Sequence, residues 1–550
     1  MNKNKYLTFL TALTTLAAKA ALTALKTLTA LTTLTVLALT ASLSGCNGSA
    51  TNDSNNTGRN YLLFAQFLAP IQDWDPHISS NVENQIFFST YETLLIFEPD
   101  TNTFKNVLAK NYSKSSDGLV WTFELREGVS FHDGTPFNAE AVKFNVERIQ
   151  RIGMSSSYIW APVMEVKATG EYTVEFHLSE IAPLDLIVSS SITAWIVSPS
   201  VGIDDRAATA WFSEGNINGT GPYRLQSQIQ GSEVVLTKNE DYWRGWEGKH
   251  IDNIVIRTVS ETSSRRLMME SGEADMTMSL LSEDMVAMQD NLNLDILTTD
   301  GYKTLQCFIN TQKPPLDDVR VRQALAYSYP AHMYVDNVKL GQFASMPTDT
   351  LLASALWGSL QEAPYSFDLD KAKQLLTEAG YEEGFTINVS NIAGTDDRKR
   401  ILELWKAELQ KININLEINM MQVEAILALA REPDKTQVQD LMIISMWPWI
   451  AHPHAVYGES LLSSAAWNFS YVYDQEMDAQ IDDAYYTSCL DMDAGIVKYE
   501  ALAKRVADEA LFINMGDDKT STVINKRVKG FNPNIAYELV PFYYDMWLEG

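Results

Sequence analysis

The sequence predicts a mixed α/β protein with more than one compact core, on three observations. The chain has 550 residues, more than one hydrophobic core ordinarily organises. Charged residues are 20% and the hydrophobic set 46%, the balance of a folded globular protein. Segments of period two alternate with segments of helical period along the chain. Trp121, Phe123 and Leu125 alternate with polar neighbours, as do Tyr172, Val174, Phe176 and Leu178, so each run reads as a half-buried strand. Asn138 is placed to cap a helix whose apolar face is Val142, Val146 and Ile149. Asp318 is placed to cap a second, carrying Val321, Ala324 and Leu325. A third begins near Asp368, presents Ala372, Leu375, Leu376 and Ala379, and ends at Gly380, a residue suited to a left-handed helix end. The helical pattern of Ile401, Trp405 and Leu409 passes directly into the alternation Ile412, Ile414, Leu416, Ile418: a helix, then a strand. No repeat of fixed 20–50 residue period is present.

The net charge is -28, from 42 basic and 70 acidic residues. A phosphate backbone needs clustered Lys and Arg, so nucleic acid is excluded as a natural partner, and an anionic membrane surface is disfavoured. Three cysteines, Cys46, Cys307 and Cys489, are too few for a disulfide scaffold. Cys307 and Cys489 read as small buried hydrophobes. Aromatic residues reach 10%, with 13 Trp and 23 Tyr, enough to line a cavity as well as fill a core.

Lys3 and Lys5 precede a Leu/Thr/Ala-rich stretch without charge from Thr27 to Gly45, which ends Leu43-Ser44-Gly45-Cys46. A basic start, an apolar run and small residues before a cleavage point describe an export signal over 1–45. Leu-Ser-Gly-Cys resembles the bacterial lipobox, which implies acylation of Cys46. The segment is long for a signal and contains Lys19 and Lys26, so an uncleaved anchor is the alternative. Residues 46–59, polar and aperiodic, form a tether spanning roughly 20 Å by random-coil scaling. Either way the remainder is expected outside the cytoplasm, lipid-anchored at the cell membrane.

Several segments together resemble the family 5 extracellular solute-binding proteins of ABC importers. They are Trp121–Gly128 with FHDGTPFNAEAVKFNVER ending at Arg148; Gly219-Thr-Gly-Pro-Tyr-Arg-Leu225; Asn239-Glu-Asp-Tyr-Trp243 with Arg265 and Ser271-Gly-Glu-Ala-Asp275; Asn310 with PPLDDVRVRQAL ending at Leu325; and Asp370 to Gly380. Their order and spacing over roughly residues 60–545 carry the resemblance. It implies a two-lobed periplasmic-binding-protein fold (type II, cluster C) with an enlarged first lobe and a two-strand hinge. By resemblance, lobe one is 60–306 plus 519–550, with a subdomain at about 97–215, and lobe two is 307–518. The lobes would close on a guest by hinge motion. The implied partners are permease subunits of an importer, and the chain is expected to act as a monomer.

The guest is read from Ser445 to Tyr457, which contains Trp447, Trp449, His452, Pro453, His454 and Ala455. Peptide-binding members usually carry a Gly-Trp and an Asp-rich turn here. Nickel-binding members show a Trp followed by Pro-His-Ala, and this sequence resembles that pattern. Neutral imidazole suits nickel, so His452 and His454 are the candidate metal ligands. Nickel-type members also place a Trp after the lobe-one helix against a metal chelate, here Trp160 beside Tyr158. Their two chelate-binding Arg positions correspond to Ser157 and to the neighbourhood of Trp195, without Arg, which argues against a polycarboxylate chelate. Asp75-Pro-His77 resembles the nickel-type Asn-Pro-His, making Ser79 and Asn81 further candidates. The resemblance therefore implies nickel or a metal chelate as transported cargo, with an oligopeptide or dipeptide as the alternative; no cofactor of the protein's own is expected.

An enzyme is disfavoured. The sequence lacks His-Glu-x-x-His, Gly-x-Ser-x-Gly and a phosphate-cradling Gly-Lys-Ser/Thr loop. Asp317/Asp318 and Asp396/Asp397 sit at expected helix starts, where acids complement the dipole. A sensor handing a peptide to a receptor would share the same fold.

Overall fold

The computed structural model describes residues 60–67, 71, 74–79, 83–154 and 157–549. The expected signal segment, Cys46, the tether and Asn81 lie outside the described residues. Among the described residues, no helix is long and apolar enough to cross a membrane.

Two large sheets organise the described chain. The first has seven strands in the order Leu294–Thr299, Thr520–Asn525, Met276–Met278, Tyr61–Gln66, Asn253–Thr258, Glu233–Lys238 and Tyr223–Ile229. Tyr61–Gln66 is parallel to Asn253–Thr258, with Phe64 opposite Ile256. It is buried along nearly its whole length, as a strand covered on both faces must be. The second has six strands in the order Ala344–Ser345, Phe512–Asp518, Thr304–Ile309, Leu441–Met446, Phe385–Ile392 and Ile414–Met421. Thr304–Ile309 is buried at every position between two antiparallel neighbours. The chain passes from the first sheet to the second between Thr299 and Thr304, and returns between Asp518 and Thr520. Each sheet with its helices forms a lobe, and the two crossings join them. A four-stranded antiparallel sheet, Ala109–Lys114, Val120–Leu125, Thr173–Leu178 and Val163–Gly170, enlarges the first lobe.

Local chemistry sets the helix ends. Asn138 accepts the Ala141 N–H at the start of Ala139–Ile152, and Gly153 ends that helix in the left-handed region. Asp318 caps Val319–Ser328 through the Arg320 N–H. Asp368 caps Leu369–Ala379, which Gly380 terminates at φ 85°. Asp396 and Asp397 occupy the first turn of Asp396–Gln410, whose Trp405 is fully buried and donates to Ser328 Oγ at 3.1 Å. In the His-Asp-Gly turn, Gly134 is left-handed and Asp133 accepts the Thr135 N–H. Pro136 pairs with Ser130 across that turn, three residues before the helix begins. The Gly-Thr-Gly segment is a close crossing. A Cβ on Gly219 would stand 2.1 Å from the Thr90 carbonyl oxygen, and one on Gly221 2.6 Å from that of Ser89.

Candidate functional site

A cavity of about 210 Å³ lies between the lobes at the crossing segments. The first lobe contributes Asn84, Gln85, Ser191 and Ile192, and the C-terminal segment Ile535, Ala536, Glu538 and Leu539. The crossings contribute Tyr302, Lys303 and Thr520. The second lobe contributes Trp447, Pro448 and Trp449, which follow directly on the strand Leu441–Met446.

The walls are aromatic and amide-bearing, with one charge of each sign. The Trp447 and Trp449 rings meet edge to face, centroids 5.5 Å apart, and Trp447 is 40% exposed. Lys303 Nζ stands 3.7 Å from Glu538 Oε1, and both side chains are about a third exposed or less. Gln85 is buried at the cavity wall, and its Oε1 has no hydrogen-bond partner within the protein. The site combines apolar ring faces, amide and hydroxyl groups, one ammonium and one carboxylate.

The first-lobe wall is held from behind. His77 Nε2 and the Trp195 carbonyl oxygen are 3.0 Å apart, so the ring N–H donates there. Its Nδ1 accepts from Arg148 at 2.8 Å. Arg148 also donates to both oxygens of Asp75, at 2.9 and 2.5 Å, and all three residues are fully buried. Burial works against the Asp75 charge, but hydrogen bonds and charge from Arg148 and His77 outweigh it and hold the carboxyl below its usual range. Asn145 exchanges hydrogen bonds with the Val197 N–H and C=O.

This arrangement corrects several sequence expectations. Trp160 is buried and donates its Nε1–H to Thr193 Oγ1 at 3.0 Å; it supports the wall from the core side and does not face the cavity. Trp195 is buried with Phe87 and Phe88 against its ring. Ser79 lies outside the cavity wall, its N–H bonded to the Asp75 carbonyl. Tyr158 is half exposed and donates to Glu459 of the second lobe. His452 is buried, with Nδ1 accepting the His454 N–H at 3.1 Å and Nε2 3.1 Å from Ser488 Oγ, so it has no lone pair left for a metal. His454 opens the helix His454–Ser460 and stacks on Tyr485 at 4.1 Å; its Nδ1 is buried without a partner, and it does not line the cavity. Among the described residues, no three His, Cys, Asp or Glu side chains gather as a metal site. Trp447 and Trp449 do line the cavity. The residues missed by sequence reading are Gln85, Ser191, Lys303 and Glu538, which no motif marks and which only the fold brings together.

Burial keeps these histidines neutral. It pushes His77 down to about 4, with the Arg148 charge adding to the effect, and His454 down to about 4. Burial pushes His452 further below its ordinary value, helped by His454. An unfolded chain protonates these rings near pH 6.5, whereas folded His77 and His454 take up a proton only near pH 4, and His452 is held neutral well below its ordinary value. Their stability contribution is therefore complete above pH 6.5 and is lost as pH falls from 6.5 toward 4. A melting-temperature series should fall through that window, and His454→Gln should flatten it; a profile unchanged between pH 7 and 4.5 would contradict the assignment.

The two sheets, double crossing and interlobe cavity are those of a two-lobed periplasmic binding protein. The model of the family described as bacterial extracellular solute-binding proteins, family 5 Middle, matches residues 103–468, and the chain belongs to that family. Its members are the substrate-binding components of ABC transporters rather than enzymes. The glutathione-binding protein GsiB of Pectobacterium atrosepticum is 28% identical over 354 residues, which is 63% of this chain and 66% of that protein. GsiB of Escherichia coli K12 is 26% identical over 350 residues, covering 63% and 67%. This chain thus spans about two thirds of the length of these relatives. Among solved structures, NikA from Brucella suis in complex with Fe(III)-EDTA superposes with a TM-score of 0.79 at 22% identity, over 89% of this chain and 100% of that one. DppA from Helicobacter pylori in complex with the peptide STSA gives 0.73 at 22% identity, over 89% and 98%.

Proposed function

We propose that this chain is the extracytoplasmic capture component of an ABC importer and that its guest is a short peptide or peptide-like zwitterion. The observation that carries this reading is the opposite charge of Lys303 and Glu538 on the wall of one small interlobe cavity. A zwitterion presents an ammonium to Glu538 and a carboxylate to Lys303, so binding exchanges one ion pair for two charge-assisted ones. Gln85 Oε1 is an acceptor for a guest amide N–H, and the Trp447 and Trp449 rings cover side chains without selecting them. Glutathione, the ligand in the name of the GsiB relatives, is a peptide-like zwitterion of this class. Closure over the guest would present a loaded form to permease subunits. Acylation at Cys46 would hold a monomer beside them at the membrane.

A second reading keeps a nickel or other metal chelate as cargo. His454 favours it, because its Nδ1 is buried without a partner and neutral at physiological pH. His452 no longer contributes, since both of its ring nitrogens are engaged. Native mass spectrometry of protein purified without chelators separates the two. The expected result is a bound mass, or family of masses, of short peptides. A nickel-containing mass lost in His454→Ala would overturn the peptide assignment.

A further inference from the structure

The lobes are also joined by a buried ring. Phe343 directly precedes the second-lobe edge strand Ala344–Ser345, yet its side chain does not enter the second-lobe core. It is 3% exposed and packs with Leu63, Met269, Met285, Met288, Leu294 and Val523, a cluster whose other buried members all belong to the first lobe. Leu340 and Gly341, left-handed at φ 54° and 69°, reverse the chain just before it, and the Phe343 N–H closes that turn on the Lys339 carbonyl at 3.1 Å. Gln289 of the first lobe donates to Gln342 at 2.5 Å beside it. The same segment lies against both crossings. The Phe343 carbonyl accepts the Lys519 N–H at 3.1 Å, and Ala344 and Ser345 pair with Asp518 and Asp517 at the return crossing. Ser345 Oγ donates to Asp300 of the outgoing crossing at 3.1 Å, and Asp300 stands 3.3 Å from Lys519 Nζ.

We infer that Phe343 is the fixed pivot of lobe motion: a third tie beside the two crossings, seated in the first-lobe core in open and closed forms alike. A point beside the crossings lies near the axis about which the lobes turn, so rotation moves the cavity walls far more than it moves this ring. Unseating the ring exposes a buried Phe to water and leaves a void in the first lobe, which disfavours that form by a factor of roughly ten to a hundred. Contacts between the lobes elsewhere are polar and reached by solvent, such as Tyr486 Oη to Glu180 at 2.7 Å and Lys114 Nζ to the Cys489 carbonyl at 3.1 Å, and exchange for water at little cost. The favoured swing therefore parts those contacts and keeps the ring in place. Splaying of the lobes at the hinge is blocked, and each closure returns the cavity walls to the same register. The inference rests on the two-lobed fold and not on the identity of the guest.

The test needs no added guest. In full-length protein freed of carried-over small molecules by unfolding, dialysis and refolding, oxime-linked spin labels on a keto amino acid report two interlobe distances. Leu292 and Met346 flank the pivot on the first and second lobes, whereas Ile203 and Val497 belong to the two lobes but to no element that packs on Phe343; all four are exposed. The Leu292–Met346 distance should be single and narrow and the Ile203–Val497 distance broader, because open and closed forms share the first and not the second. Phe343→Ala should add a longer Leu292–Met346 distance, the seated population falling at least about tenfold relative to the unseated one. Phe343→Leu, which refills most of the pocket, should restore the narrow distance. Phe343→Ala lowers the melting temperature whether the ring guides motion or only fills a core, so the distance is the deciding readout. Equal widths for the two pairs in the wild type, or a single narrow Leu292–Met346 distance in Phe343→Ala, would each overturn the inference.

Discussion

Arg148→Ala is expected to lower the unfolding free energy by about 3–5 kcal/mol, the usual cost of stranding one member of a buried ion pair. The Arg148 and Asp75 side chains have no solvent exposure, so water cannot replace the lost partner. Arg148 also donates to His77 and lies over the Phe212 ring, centroid 5.4 Å away. Removing it therefore takes away the cationic partner of the Asp75 carboxylate, removes the donor to His77 Nδ1 and opens a void in one step. Arg148→Lys should be nearly as damaging, because an ammonium cannot reach both Asp75 oxygens and His77 Nδ1 in one plane. Guest affinity should weaken as well, since the network holds Trp195 and, through it, the wall at Ser191 and Ile192. Denaturant midpoints measure the first effect; a loss under 1 kcal/mol would contradict the assigned role.

Trp449→Ala should act in the opposite sense, on binding and not on stability. Trp449 is only partly buried, so its removal costs the fold little. A ring closing over a guest in an interlobe cavity is an anchor of the kind worth about 2–4 kcal/mol, roughly a 30- to 1,000-fold loss of affinity. Trp449→Phe should recover part of that loss by restoring an aromatic face. Titration calorimetry with the molecule recovered from the native protein gives the number. A loss under threefold would place the guest elsewhere.

The fold was readable to the extent that it rests on local chemistry. Asn138, Asp318, Asp368 and Gly380 act at the helix ends where their side chains or backbone freedom predict. The Gly-Thr-Gly segment reads as a turn, yet its reason is tertiary: the chain passes against the carbonyls of Ser89 and Thr90, more than a hundred residues earlier. The cavity was far less legible. Trp160 and Trp195 are cleft candidates only through their resemblance to nickel-type positions, but rings fill cores as readily as clefts, and no local pattern distinguishes the two. The His-x-His spacing suggested chelation, whereas the first imidazole bonds the backbone N–H of the second. Lys303 and Glu538 face each other from positions 235 residues apart, on a crossing segment and near the C-terminus, so no spacing rule could have paired them.

Stoichiometric, unaltered capture is the most direct test. Purified protein is stripped of its guest by mild unfolding and refolding, the recovered molecule is returned in excess, and the complex is weighed by native mass spectrometry. One guest per chain should rebind, be released with its mass unchanged after prolonged incubation, and be rejected by a Lys303→Glu/Glu538→Lys/Trp449→Ala variant that still folds. Conversion of the guest to a product, or equal retention by that variant, would contradict capture between the lobes.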